Sequence, residues 1–568
     1  MPHKLFRFNG GVKPATHKTD SVRAPIGRAP MPERLVVPLH QNIGGKPQPC
    51  VALGDRVLKG QVIGTADHWV SAAVHAPTSG TVRAIAPQLA THPSGLPTLS
   101  VVIEADGKDE WIERRPVDYA SMAPESVREL LRDAGLVGLG GAVFPSHAKL
   151  SASKKTPMEE LVINGAECEP FITCDDMLMR ERGEEIVRGA GIFRDLLEPK
   201  RVLIGIEDNK PEAIAAMREA VAAAGESFEV IAVPTRYPAG GAKQLISVLT
   251  GKEVPSSKRS TDMGVQCFNV ATASSAYRAL TFGEPLISRI VTLAGNVEQP
   301  RNWEVPLGMT IRDFIALGTP RADTNRYLMG GPMMGFELPG LDAPLIKASN
   351  CIIAASPKLF PPPPPEMPCI RCGSCARACP HELQPFELYW FSRAANFGKA
   401  QEYHLFDCIE CGCCAFVCPS HIPLVQYFRY AKGEIWGRER DKKAAESARA
   451  RFEFRNERDE REKAEKAERL ARAAAAKAAD NPLASATAAP TAASPAATPA
   501  PAAAVTAAAA AAPTSPAVPG EAPAATGEAS EAERARKAMI AAAVERARAQ
   551  REAAAAARPH DAATSPEQ

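Results

Sequence analysis

Cysteine spacing is the first chemistry legible in this sequence. Cys369, Cys372, Cys375 and Cys379 are followed by Pro380, and Cys408, Cys411, Cys414 and Cys418 by Pro419. Each run spells C-x2-C-x2-C-x3-C-P, the spacing that holds a [4Fe–4S] cluster. Three thiolates two residues apart wrap one face of a cubane, and where two runs occur together the fourth cysteine of each serves the other cluster. The expected ligand sets are therefore Cys369, Cys372, Cys375 and Cys418, and Cys408, Cys411, Cys414 and Cys379. A zinc ribbon would need two C-x2-C pairs, not two triplets each with a trailing Cys-Pro. Cys413, an extra cysteine in the second run, reads as a small buried side chain beside its cluster.

Two glycine-rich turns are the second signal. One runs Gly138-Leu139-Gly140-Gly141-Ala142-Val143-Phe144-Pro145, the other Pro238-Ala239-Gly240-Gly241-Ala242-Lys243. Glycines let a backbone approach a phosphate closely and offer it N–H groups, although a tight structural turn has the same appearance. Between them Asn164-Gly165-Ala166-Glu167-Cys168-Glu169-Pro170 directly follows an apolar run, the place where ligands bind in open α/β sheets.

These residues need several modules to position them, and the chain of 568 residues is long enough for several cores. Residues 1–115 read as β-rich, with short apolar pieces between glycine turns. There Gly54 to Gln61 and His75 to Val82 resemble the folded hammerhead of biotinyl and lipoyl carrier domains. No lysine lies between Gln61 and Val82 to carry a cofactor arm, so a β-sandwich scaffold is expected. Residues 116–280 alternate strands (Leu161–Asn164, Val202–Ile206) with helices (Ala213–Ala224), a Rossmann-like α/β pattern. Residues 281–345 fit a small β-grasp unit, with a strand at Arg289–Leu293 and a helix at Thr310–Ile315. Residues 346–366, ending in Pro361 to Pro365, read as a stiff linker. The cluster module spans 367–437, with a packed helix expected between its motifs over 385–400. Residues 438–480 read as an exposed charged helix, supported by the i,i+4 pairs Glu462–Lys466 and Glu465–Arg469. Residues 481–568 are an Ala/Pro-rich disordered tail, with a last helix expected over 530–557.

Composition excludes other classes. A formal net charge of +2 leaves no basic footprint for nucleic acid. Eight of the 14 cysteines sit in the cluster motifs, so they are not a secreted disulfide framework, and cluster chemistry implies a reducing compartment. No signal peptide, bilayer span or lipidation motif is read, so membrane attachment would come through partners.

From Gly10-Gly11-Val12 to about residue 440 the chain resembles the RnfC family, one of the components of the bacterial Rnf complex, an ion-translocating NADH:ferredoxin oxidoreductase. The likeness rests on His75 to Val82, Gly138 to Pro145, Asn164 to Pro170, Gly205 to Pro211, Tyr237 to Leu245 and both cysteine runs. The middle of the chain also resembles the flavoprotein subunit of respiratory complex I, which binds FMN and accepts hydride from NADH. On that resemblance Gly138, Gly140, Gly141, Lys149, Asn164, Glu167, Glu169, Tyr237, Asn269 and Thr272 are expected flavin contacts, with Gly240 beside them from the second turn. The departures are Val143 and His147 in place of glycines, Ala166 in an aspartate position, and Gly241-Ala242 in place of an acidic pair.

The resemblance implies an N-terminal barrel-sandwich-hybrid-like domain, a Rossmann-like FMN/NADH domain, an SLBB-like β-grasp domain and an α-helical ferredoxin domain. It implies FMN and two [4Fe–4S] clusters as cofactors, NADH as electron donor, and a ferredoxin-like electron partner. The other subunits of the complex would hold the protein peripherally at the cytoplasmic face of the bacterial inner membrane. The rival expectation is a flavin-free iron–sulfur relay, and a more remote one is a free-standing NADH dehydrogenase.

Overall fold

The computed structural model describes residues 3–151 and 156–479. The chain divides into two units, Met1–Lys463 and Ala464–Gln568; of the second, 464–479 are described, and they are helical. The tail expected over 481–568, with its helix over 530–557, lies outside the described residues.

The first module is built from antiparallel strands. Arg34–Pro38, Pro97–Ala105, Gly80–Leu89 and Arg56–Val57 form one sheet in that order, and Gln48–Pro49, Val62–Thr65 and Val74–His75 form another. Their apolar faces do not close a private core. Leu35, Val37, Ile63, Val101 and Ile103 pack in one cluster with Val291, Leu293, Phe314 and Ile352 of the β-grasp region. The two β modules therefore stabilise each other by shared burial.

The second module is a four-stranded parallel sheet ordered Glu229–Val233, Arg201–Glu207, Glu160–Gly165, Val265–Asn269. Both faces are covered, as parallel strands require. Leu161 and Ile163 point into one core and Val162 into the other, the period-2 alternation of a strand. Strand order reverses between Glu160–Gly165 and Val265–Asn269. Their carboxyl ends, Asn164–Pro170 and Asn269, bound the crevice where open α/β sheets bind ligands.

The β-grasp region corrects one boundary. The stretch 346–366 reads as linker in the sequence, yet Cys351–Ala355 is a fully buried strand inside a six-stranded sheet, between Ser288–Gly295 and Arg326–Met329. Five small and branched apolar residues bury better as a strand than they would solvate as a tether. Only the exposed, unstructured 361–366 behaves as a spacer.

In the cluster module the single helix expected over 385–400 is two, Pro385–Arg393 and Phe397–Glu402, broken where Ala395 takes a φ of 52°. The charged helix is not a separate element from 438. It continues a 56-residue helix, Leu424–Ala479, whose first turns bury Leu424, Phe428, Ala431 and Ile435 against the module. Its exposed part carries i,i+4 pairs at Arg449–Glu453, Arg458–Glu462 and Glu468–Arg472, rather than the pairs read from sequence.

Candidate functional site

The eight motif cysteines gather around two small spaces. Cys369, Cys372 and Cys375 line one together with Cys418. Cys408, Cys411 and Cys414 line the other together with Cys379. Each run thus sends its fourth cysteine across to its neighbour. The same backbone device shapes both: Arg371 and Gly373 have φ of 53° and 72°, Glu410 and Gly412 of 58° and 80°, and each glycine opens a short helix that carries the third thiol. Four sulfurs about a mostly apolar space form a soft donor set, which fits an iron–sulfur cluster. Cys413 lines the second space as a fifth thiol, fully buried and clustered with Val12, Tyr237 and Ala378.

The α/β module is fastened to the second space. The buried Tyr237 hydroxyl donates to the Cys411 carbonyl at 2.7 Å. Its backbone pairs with Val12 in both directions, at 2.8 and 3.0 Å, while Gly11 N–H donates to the Ala378 carbonyl at 2.9 Å. A side chain at Gly10 would collide with the Cys379 carbonyl, and Gly10 sits at φ 63°. The Gly10-Gly11 pair is thus required by close approach to the cluster-binding chain.

Both glycine turns reach the carboxyl ends of the central strands. Asn164 accepts from Ala166 N–H at 3.1 Å and donates to the Gly240 carbonyl at 2.9 Å, and Gly240 N–H donates to the Cys168 sulfur at 3.2 Å. On the other side Thr272 accepts from Leu139 N–H at 2.9 Å. Asn269 caps the helix Val270–Phe282 by accepting from Ala271 N–H at 2.9 Å, and its amide donates to Asp175 at 2.6 Å. The amides of Gly140, Gly141 and Ala142 have no acceptor among the described residues. Gly141, at φ 105°, faces open space, and the turn lies beside the positive end of that helix. Free N–H groups there fit the phosphate of a bound nucleotide or flavin. Gly138 closes the turn with Phe144 and Val143.

Three of the expected contacts are turned elsewhere. Lys149 is half-buried, donating to the Cys267 carbonyl with its ammonium 4.6 Å from the Phe268 ring centre, and desolvation of that ammonium lowers its pKa. Glu167 accepts from Asp175 and Asp176 N–H at 2.7 and 3.2 Å and so caps the helix Cys174–Glu181. Burial pushes its carboxyl up to about 8, against the pull of Lys18. Glu169 accepts from Met333 and Met334 N–H at 2.7 and 3.1 Å, clamping the turn after the β-grasp strand Arg326–Met329, and burial raises it too. These carboxylates shape the crevice through backbone rather than facing a ligand.

The glycine replacements have structural counterparts. Val143 keeps a positive φ, 43°, strained for a β-branched residue. His147 is buried, hydrogen-bonded through Nε2 to the Trp69 carbonyl at 2.7 Å, which ties the turn to the first β module. A separate cleft behind the turn shares Leu139 with it but none of the expected contacts. The free amides and the sheet topology, not that cleft, mark the site.

Sequence reasoning misses the buried cations. Lys18 donates to the Glu167 carbonyl at 2.7 Å and also to Ile172. Lys210 donates to the Ala166 carbonyl at 2.7 Å and to Glu207 and Asn209 at 3.2 and 3.0 Å. Together they hold the Asn164–Pro170 loop. Lys210 lies within a recognised motif; nothing in its surroundings singles out Lys18.

Family models cover the chain in order: "RnfC Barrel sandwich hybrid domain" at residues 6–108, "Nuo51 FMN-binding domain" at 131–278, "SLBB domain" at 290–337 and "4Fe-4S dicluster domain" at 368–422. Among curated relatives, each named as the C component of an ion-translocating oxidoreductase complex, the protein of Haemophilus influenzae (strain PittEE) is 46% identical over 459 residues, 80% of this chain and 70% of its own. Those of Pasteurella multocida and Pseudomonas aeruginosa are both 48% identical, over 79% and 80% of this chain. The chain spans only 54% and 59% of the length of those two. A solved NAD+-reducing [NiFe]-hydrogenase in the air-oxidized state matches 49% of this chain and 54% of its own at 20% identity and a TM-score of 0.39, and nothing below rests on it. Identity near one half over 80% of the chain, with four domain types in sequence, leaves one conclusion: the chain belongs to the RnfC family, the C components of ion-translocating oxidoreductase complexes.

Proposed function

We propose that this chain is an electron-transfer subunit of a membrane-associated, ion-translocating oxidoreductase complex, drawing electrons from NADH and delivering them to partner subunits and a ferredoxin-like carrier. The carrying observation is the Tyr237 hydroxyl on the Cys411 carbonyl, which joins the strand-end crevice to the second cysteine set. In this reading the amides of Gly140, Gly141 and Ala142 hold the flavin phosphate, with Thr272 fixing their turn, Asn269 capping the helix beside it, and Asn164 and Gly240 bounding the other side. When bound, a flavin supplies the exchange of a two-electron hydride for single electrons, which [4Fe–4S] clusters accept. The set with Cys379 is the near relay, since Val12 and Tyr237 pack against Cys411 and Cys413 and the Gly10–Val12 strap is bonded to the chain at Ala378. The set with Cys418 is the exit, since Cys372 is exposed and Ile370 beside it is 68% exposed.

No helix among the described residues is long and apolar enough to cross a membrane. We place the protein peripherally at the cytoplasmic face of the inner membrane, held by partner subunits. Expressed with them it sediments with membranes; binding of the chain alone to protein-free liposomes would contradict this.

The turning away of Glu167 and Glu169 and the loss of the acidic pair at Gly241-Ala242 favour the rival reading, a relay without flavin. Anaerobic titration with NADH, with flavin, iron and sulfide counted, decides between them. Stoichiometric FMN and cluster bleaching on NADH addition support the proposal. Clusters that reduce with dithionite but never with NADH, in a protein that takes up no FMN, overturn it.

A further inference from the structure

Two cations of the β-grasp region are buried without an ion-pair partner among the described residues. Arg289, on the strand Ser288–Gly295, and Lys347, before the strand Cys351–Ala355, are 5% and 1% exposed. Both direct their N–H groups at backbone carbonyls. Arg289 donates to Leu139 at 2.6 Å and also to the Lys347 carbonyl. The Lys347 ammonium donates to Gly135 at 2.6 Å and to Ala73 at 2.9 Å. Burying a cation against neutral acceptors is costly, and here the two acceptors Gly135 and Leu139 bracket the start of the glycine turn.

Peptide geometry gives that arrangement a consequence. The Leu139 carbonyl and the Gly140 N–H belong to one planar trans unit, so they point in opposite directions. With its carbonyl held by Arg289, and Leu139 N–H held by Thr272, the Gly140 N–H has no freedom to swing. It is one of the amides without a protein acceptor. The charge of Arg289 beneath the turn, joined by that of Lys347 when it is protonated, also favours an anion above it. Asp175 lines the same cleft as Arg289 without forming an ion pair with it.

We propose that Arg289 and Lys347 are positioning residues for the phosphate-binding turn: by holding the Leu139 and Gly135 carbonyls from the β-grasp side, they aim the Gly140 amide and set the affinity for FMN. This rests on the flavin reading above and adds that the β-grasp module governs cofactor affinity without touching the cofactor.

The test is FMN titration of the full-length, cluster-loaded protein followed by flavin fluorescence. Arg289→Met and Lys347→Met are each expected to raise Kd about tenfold or more, the loss of one charge-assisted hydrogen bond. Arg289→Lys, which keeps a donor and the charge, should recover part of that loss. Arg312→Met, in an exposed pair with Asp342 on the same module, should bind FMN as the parent does. A second readout needs no flavin: amide exchange at Leu139 should quicken in both Met variants while iron content stays full. Where Arg289→Met fails to keep its clusters, Lys347→Met and Arg289→Lys carry the comparison. Parental Kd and parental Leu139 protection in the variants overturn the proposal, as does lowered melting temperature with unchanged Kd. The two readings separate through Gly140→Val. If that variant binds FMN like the parent, the flavin site itself is wrong and the clamp falls with it; if it loses FMN while both Met variants keep it, only the clamp falls.

Discussion

Gly140 offers a perturbation in which fold and cofactor respond in opposite directions. It lies outside the left-handed region that only glycine occupies freely, and a Cβ built on it would meet Asn269 at 3.5 Å, ordinary contact. Gly140→Ala therefore costs the folded chain little. By restricting the unfolded chain it should stabilise the flavin-free protein by about 0.4–1 kcal/mol. The same methyl group narrows the approach of a phosphate to the free amides. Losing one charge-assisted hydrogen bond, about 1.5–3 kcal/mol, raises the Kd for FMN roughly 10- to 150-fold, and Gly140→Val should do more. Gly141 is the contrast. At φ 105° any side chain there is strained by about 1–3 kcal/mol, so Gly141→Ala should lower stability and affinity together. Thermal unfolding of flavin-free protein and fluorescence titration with FMN, run on the same preparations, give both axes. Destabilisation by Gly140→Ala with parental FMN affinity would refute the assignment of this turn to the phosphate.

Three further outcomes are expected. Cys379→Ala should remove the cluster built on Cys408, Cys411 and Cys414 and spare the one built on Cys369, Cys372 and Cys375; paramagnetic resonance of the reduced variant shows which signal survives, and loss of the Cys369-side signal alone would sink the exchange of fourth ligands. Cys413→Ala should keep full iron content, checked by iron analysis, because Cys413 is packed with Tyr237 and Ala378 in addition to the four thiols expected to ligate. The third concerns pH. Burial lowers the Lys347 ammonium to about 7, while in the unfolded chain it keeps its ordinary value. Below pH 7 the penalty of the buried charge is fully present; between pH 7 and the unfolded value the unfolded state holds the extra proton, so stability rises with pH by about 1.4 kcal/mol per unit. His75 beside it, held down to about 3, stays neutral and adds no slope, and Arg289, donating to the Lys347 carbonyl, stays charged. Lys347→Met should lack the rise; parallel melting-temperature curves from pH 7 to pH 9 for parent and variant would contradict this.

What the sequence reveals follows from how local each interaction is. The cysteine runs carry their geometry in spacing alone, because three ligands and the turn between them lie within a few residues. The strands at Leu161–Asn164 and Val202–Ile206 are legible as apolar runs, and the crevice follows from their order. Glu167 and Glu169 read as cofactor contacts through the resemblance to the complex I flavoprotein, whose motif they keep. Their acceptor roles are settled by backbone amides, in the case of Glu169 those of Met333 and Met334, 164 and 165 residues away. Arg289 and Lys347 leave no signal, since a cation whose partners are carbonyls has no charged residue to be matched with, and Lys18 meets Glu167 only across 149 residues of sequence. Cys351–Ala355 is hidden by the prolines that follow it, which make a central strand look like the start of a tether.

The Gly10–Val12 strap bears on the order in which the protein is made. Its neighbour Asn9 bonds Glu382, 373 residues further on, and Gly11 meets Ala378. During synthesis this segment leaves the ribosome before its partners, and contacts so distant in sequence form slowly. The strap meets the backbone at Ala378 and Cys379 without lining the cluster space, so it can dock only once that turn has taken its final course. Strap docking would then be a late event of folding, and bulky fusions ahead of Phe6 would be expected to loosen the turn at Ala378–Cys379 on which it docks.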